Sequence, residues 1–216
     1  MKTILLTIIL LFIPNLCEAQ RPNINLVVEA NHNPATTLIK CEWAEAGALL
    51  NNDHKAIMWV LYRRAVRSIV RAETGTNDFS DQQIVEAAVS NHVDQNQLNH
   101  LMAMMALKYC NALHDNPSPP RTNHRAWAIR GMSRNWLERN AERHPRHHDL
   151  IQFVENWMRG EREPDPCSNL KVNGRAAGPA LHWGSWADAH RHHWHTRYRI
   201  ECGTFHNLFF DTENPT

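Results

Sequence analysis

The residues from Cys41 to Arg64 are suited to acid–base chemistry. Cys41-Glu42-Trp43-Ala44-Glu45-Ala46-Gly47 carries two carboxyls, Asn51-Asn52-Asp53-His54-Lys55 reads as a polar turn, and Ala56 to Leu61 is apolar ahead of Tyr62 and paired Arg63-Arg64. On a helical wheel Glu45 falls within about 40° of Leu38, Cys41 and Leu49, whereas Glu42 sits some 60° further round, nearer the margin. An acid flanked by leucines is partly desolvated, which favours its neutral form. Cleavage of a glycoside needs such a protonated acid beside the leaving oxygen, so Glu45 is the candidate catalytic residue. A second carboxylate would serve a hydrolase, for which Glu42, Asp53, Glu73 and Asp78 are the candidates, none of them singled out by the sequence. A transglycosylase can instead use a hydroxyl of the sugar as nucleophile. A buried structural ion pair is the plainer explanation of the same Glu45.

Two other constellations compete. His182, His190, His192, His193, His195 and His206 form a histidine-rich run, in which His190/His193 and His192/His195 have the three-residue spacing of helical metal ligands. No His-Glu-x-x-His motif accompanies them, so no metal site is assigned and no cofactor is expected. Ser185 in Gly184-Ser185-Trp186 lacks the second glycine of a nucleophile elbow.

The elements that must position these groups are mostly helices. Ile39, Trp43, Ala46 and Leu50 make one apolar stripe and Leu38, Cys41 and Leu49 a second, predicting a helix over about 35–50. Met58, Leu61, Ala65 and Ile69, thickened by Ile57 and Val66, predict a second over about 54–72. Ser80 to Gln83 caps a helix over about 81–91, and a methionine-rich stripe from Leu98 to Leu113 marks another over about 96–113, best read as core. The Pro-rich stretch 116–120 breaks the chain. Helical segments follow over about 123–142, interrupted at Gly131, and over 148–159, where Leu150, Phe153, Val154 and Trp157 keep the period. Residues 161–184 are rich in Pro, Gly and Asn and read as ordered loop. A short helix over 186–194 and short strands or turns over 199–202 and 204–210 end the chain. The expected class is mainly α, with an irregular C-terminal section tied by disulfide.

Bulk properties narrow the setting. Met1-Lys2, an apolar run from Thr3 to Ile13, a break at Pro14 and Cys17-Glu18-Ala19 have the layout of a secretory signal, with residues 1–19 removed and 20–216 left as a single domain. The expected location is secreted or periplasmic, without stable membrane insertion. Cys41, Cys110, Cys167 and Cys202 then form an even set in an exported chain, for which Cys41–Cys110 and Cys167–Cys202 are the favoured pairs among three connectivities. The net charge of +1 proposes no nucleic-acid partner, and the oligomeric state is not legible. Eight tryptophans supply core and rings able to stack on sugar faces.

The motifs resemble the cell-wall hydrolase family of spore-cortex-lytic type. Trp43-Ala44-Glu45-Ala46-Gly47 is similar to that family's acidic motif, and Ala56 to Arg64 to its apolar helix ending in Asn-Arg, with Arg63 in place of the Asn. Asp165-Pro166-Cys167 looks like its Asp-Pro-Thr loop, Leu181-His182-Trp183 like the aromatic-His segment, and Gly203, His206 and Phe210 like its terminal element. The resemblance implies a lysozyme-like helical fold that acts on peptidoglycan glycan strands, as a lytic transglycosylase or muramidase, with Glu45 as general acid. It also suggests His182, Tyr198 and His206 as cleft-lining residues and Trp183 or Trp186 as sugar-stacking rings. The alternatives are a non-catalytic secreted glycan-binding or interaction protein, and a peptidoglycan amidase or metal-dependent hydrolase built on the C-terminal histidines.

Overall fold

The computed structural model describes residues 33–74, 94–110, 113, 134–168, 171–172, 175–176, 180–185, 199–200 and 207–210. Five helices occupy most of them: α1 (Pro34–Ala46), α2 (Asn52–Thr74), α3 (Gln95–Tyr109), α4 (Arg134–Arg143) and α5 (Pro145–Met158). The expected helix over 81–91, the residues of the 123–142 segment before 134, and the helix over 186–194 lie outside the described residues.

Helix α1 begins where Asn33 accepts the Thr36 amide on its side chain and Pro34 supplies a preset φ. It stops at Ala46, four residues before its apolar stripe runs out, because Gly47 adopts φ 93° while its N–H still bonds to Trp43 O. Leu49 is consequently outside the helix and 49% exposed. His54 holds the turn to α2: its Nδ1 accepts the Asn51 amide at 3.1 Å, so Nε2 carries the proton and donates to Gly47 O at 2.9 Å. Burial lowers the His54 pKa and keeps the ring neutral for this role. The Asn51 side chain adds three more bonds, accepting the Asp53 amide and donating to Ala46 O and Leu49 O.

The core forms where α1, α2, α3 and α5 meet. Leu38, Ile39, Ile57, Met58, Leu61, Met102, Leu150 and Trp157 are almost wholly buried, so the stripes read along these helices face inward. Cys41 and Cys110 are disulfide-bonded with a Cα separation of 5.7 Å, joining α1 to the end of α3 across a sequence separation of 69. Replacing both by alanine is expected to cost about 4 kcal/mol through the freed loop of the unfolded chain, read as a lowered denaturation midpoint. Cys167 is also buried and disulfide-bonded; its expected partner, Cys202, lies outside the described residues. Among the described residues, no helix is long and apolar enough to cross a membrane.

The C-terminal section forms strands within 171–184, where loop was expected, and within the short strands or turns expected over 199–202 and 204–210. Strands β1 (Lys171–Val172), β2 (Arg175–Ala176), β3 (His182–Ser185), β4 (Arg199–Ile200) and β5 (Asn207–Phe210) form one antiparallel sheet in the order β2-β1-β4-β5-β3. Two- and four-residue strands are too short to display a period, so 171–184 carries no sequence signal of pairing. The register sets Trp183 opposite Phe209 and Ser185 opposite Asn207. Since side chains alternate, Trp183, Asn207 and Phe209 share the face that meets the helices, and a one-residue slip would remove all three.

Candidate functional site

The site lies where α1, the start of α2 and the paired strands β3 and β5 converge. Glu45 is half-buried near the end of α1. Trp183 Nε1 donates to Glu45 Oε2 at 3.1 Å, closing a contact across 138 residues of sequence. Asn207 binds both helices at once: its backbone N and Nδ2 donate to Asp53 Oδ2 at 3.0 and 3.3 Å, and Nδ2 also donates to Glu45 O at 3.1 Å. Asp53 is fully buried, in the first turn of α2, where a carboxylate suits the helix dipole.

The two arginines at the middle of α2 secure the edge of the sheet. Arg64 is 2% exposed, donates from Nε to Leu181 O at 2.5 Å and from its terminal nitrogen to His182 Nδ1 at 3.2 Å, and lies 3.6 Å above the Tyr109 ring. Arg63 donates to Ala180 O at 3.3 Å and pairs with Asp165 Oδ2. Asp165 Oδ1 in turn accepts the Cys167 amide at 2.8 Å. The side chain standing where the resembled family has Asn thus orders the Asp-Pro-Cys loop as an ion pair. These contacts satisfy the carbonyls of Ala180 and Leu181, the two residues that lead into β3.

The relative burial of the two glutamates corrects the wheel reading. Glu42, placed at the margin, is fully buried, and neither carboxyl oxygen has a hydrogen-bond partner. The members of both apolar stripes that lie within α1 are buried, and Glu42 falls between them, about 40° from Leu38 on one side and from Ala46 on the other. Burial, and then the neighbouring charges of Glu45 and Asp53, hold its pKa well above the usual carboxylate value. The site therefore contains three carboxyls of different character: Glu42 sealed and without a hydrogen bond, Asp53 buried and bonded by Asn207, and Glu45 half-buried and bonded by Trp183.

Of the other residues read as site candidates, His182 is half-buried, and burial together with Arg64 lowers its pKa to about 4. Its ring stays neutral with Nδ1 as acceptor. Trp183 is only 4% exposed, so it offers the site an N–H donor and not an open ring face for stacking. Trp186, Tyr198 and His206, the histidines from 190 to 195, and the side chains of Glu73 and Asp78 lie outside the described residues. Among the described residues no group of three His, Cys, Asp or Glu is arranged to hold a metal. Asn207 escaped the sequence reading entirely. Its only trace there is a lone amide side chain ahead of the apolar run Leu208-Phe209-Phe210.

No family model, curated protein or solved structure matches the chain. The geometry at Glu45 therefore carries the functional reading without support from a relative.

The low pKa of His182 has a consequence for stability. Unfolded, the ring titrates near 6.5; folded, it titrates near 4. Between those values the unfolded chain binds the extra proton, so the His182 contribution falls as pH drops through this window and is constant outside it. The loss is on the order of 3 kcal/mol at most, and less in practice because the ring is only half-buried. Denaturation midpoints between pH 4 and 7 are expected to be less acid-sensitive in His182→Asn than in the parent.

Proposed function

We propose that the chain is an exported, lysozyme-like enzyme that cleaves the glycan strand of peptidoglycan, with Glu45 as general acid. The observation that supports this most is the Trp183–Glu45 hydrogen bond, which brings the acidic motif of α1 against the aromatic-His segment of β3. The same convergence recurs in the Arg64–His182 and Arg63–Asp165 contacts. Every paired motif comes from the set that carries the family resemblance.

In this reading the protonated form of Glu45 gives its proton to the bridging oxygen between two sugars as that bond breaks. The product carboxylate is left facing the Trp183 N–H, a donor already in place and needing no rearrangement. Asn207 fixes the backbone of Glu45 and the position of Asp53 together, so the helix end cannot drift from the second carboxylate. Asp53 is fully buried, which removes it as a nucleophile and leaves water or a sugar hydroxyl to attack the anomeric carbon, its proton passing to the Glu45 carboxylate. The test is release of soluble fragments from insoluble cell walls by purified protein, compared between wild type and Glu45→Gln.

A second reading, a non-catalytic secreted glycan-binding protein, is favoured by one observation. Glu45 is engaged at Oε2 by Trp183 and at its carbonyl by Asn207, as a purely structural acid would be. That reading expects wall binding with no new reducing ends and no anhydro-sugars.

A further inference from the structure

Helix α4 segregates its side chains into three faces. Leu137 and Ala141 are buried and anchor it. Glu138 and Glu142 share a second face, and Trp136, Arg139, Asn140 and Arg143 share a third, together with His144 just beyond the helix. This third face lines a concavity of about 410 Å³. It belongs to a different part of the molecule from Glu45. Trp43, whose ring lies 6.0 Å from that of Trp136, points away from Glu45, because residues two apart on a helix diverge by about 160°.

We propose that this concavity is a binding site for an anionic sugar, with the anion on Arg139 and Arg143 and the sugar ring against Trp136. The two guanidinium groups are one helical turn apart on the same face, and neither is ion-paired among the described residues. The carboxylates of α4, Glu138 and Glu142, centre on the second face, and neither makes an ion pair with Arg139 or Arg143 among the described residues. A pair of planar forks at this spacing suits the oxygens of a phosphate or carboxylate better than a point charge would. Trp136 is 37% exposed and is backed by Trp43, which itself packs 4.9 Å from the His147 ring; the exposed indole is held in place before any ligand arrives. His147 Nδ1 bonds to Asn140 Oδ1 at 2.9 Å, which orients the Asn140 amide and leaves its NH2 group as a hydroxyl-directed donor. The volume lies within the range of small-ligand sites and accommodates one monosaccharide with one anionic group. A neutral sugar would leave both arginines unused, and inorganic phosphate would leave the ring unused, so the site is selective for the combination. This inference stands apart from the role of Glu45.

Titration calorimetry of the full protein at low salt tests it with four probes: N-acetylglucosamine 6-phosphate, glucuronate, N-acetylglucosamine and inorganic phosphate. The expected result is that at least one of the two anionic sugars binds tenfold or more tightly than both N-acetylglucosamine and phosphate. Which of the two binds better separates a phosphorylated from a carboxylated source. Arg139→Gln/Arg143→Gln, whose side chains are exposed, is expected to retain the parent circular dichroism and to lose at least tenfold in affinity for that ligand. Trp136→Ala is expected to reduce anionic-sugar affinity to the level of phosphate. Undetectable binding of both anionic sugars, equal binding of the neutral sugar, or unchanged affinity in the double variant overturns the proposal.

Discussion

Glu45→Gln is expected to slow glycan cleavage by about 10²–10⁴-fold, the span by which a positioned general acid accelerates such reactions. Glutamine keeps the shape of the side chain and an acceptor oxygen for Trp183 Nε1, which bonds to Glu45 at 3.1 Å. It removes only the transferable proton. The folded state should be close to unchanged, because both the Trp183 and Asn207 contacts survive, the latter being made to the Glu45 backbone. The useful signature is thus a rate loss without a stability loss. Trp183→Phe serves as the companion variant: it keeps the buried ring, deletes the donor, and should produce a smaller rate loss of about tenfold to a hundredfold, as expected for a hydrogen bond to a charged group worth about 1.5–3 kcal/mol. Rates are read as reducing ends or soluble fragments per unit time from purified walls. Equal rates in wild type and Glu45→Gln would remove Glu45 from the chemistry.

Glu42→Met is expected to stabilise the protein by about 2 kcal/mol below the unfolded carboxylate pKa, since a buried polar group without a hydrogen-bond partner costs roughly that much, and by more at pH 7. The pH dependence identifies the cause. The folded pKa of Glu42 is raised, so above the unfolded carboxylate value the unfolded chain gives up a proton that the folded chain keeps. Stability then falls as pH rises, by about 1.4 kcal/mol per pH unit, until the folded group also ionises. At pH values below the unfolded pKa both states are protonated and the ionisation penalty vanishes. His182 slopes the other way between about 4 and 6.5. The two partly cancel in the parent, so Glu42→Met should expose a stability that rises with pH through this window and His182→Asn one that falls. Equilibrium denaturation at half-unit pH intervals resolves both slopes. A parent and Glu42→Met with parallel profiles would show that Glu42 ionises normally in the fold.

A buried carboxyl that destabilises the chain is informative about the site. Packing alone would prefer methionine or leucine at this position, and replacing buried charge by apolar volume is commonly stabilising. Glu42 lies one turn before Glu45 and is electrostatically coupled to both Glu45 and Asp53. Its cost is therefore borne at the centre of the region proposed to be catalytic, where local rules of stability are most often broken.

Much of the helical fold was legible because the apolar rows of α2, α3 and α5 keep a 3.6-residue period over several turns. Met58, Leu61, Ala65 and Ile69 on α2, and Leu150, Phe153, Val154 and Trp157 on α5, are buried as that period requires. The end of α1 was not legible, because Leu49 and Leu50 continue the pattern while Gly47 turns the backbone out of the helix. The strands at 199–200 and 207–210 fall where short strands or turns were expected, but those within 171–184 were hidden: they depend on partners up to tens of residues away, and Lys171–Val172 has too few residues to show alternation. The disulfide between Cys41 and Cys110 is one of the two pairs favoured among the three connectivities that the cysteine count allows. At the site, Glu45, Trp183 and His182 were singled out, and the structure does bring Glu45 to Trp183 and His182 to Arg64. The ranking of Glu42 failed because a wheel judged one stripe at a time misses a residue lying between two buried stripes. Asn207 was invisible because its partners, Asp53 and the Glu45 carbonyl, are more than 150 residues away.

Mass spectrometry of the products formed from purified peptidoglycan tests the central claim most directly. Muropeptides ending in an anhydro-sugar or a new reducing sugar, formed by wild type and lost with Glu45→Gln, are the predicted result. Intact glycan strands, or fragments cut only in the stem peptide, would contradict it.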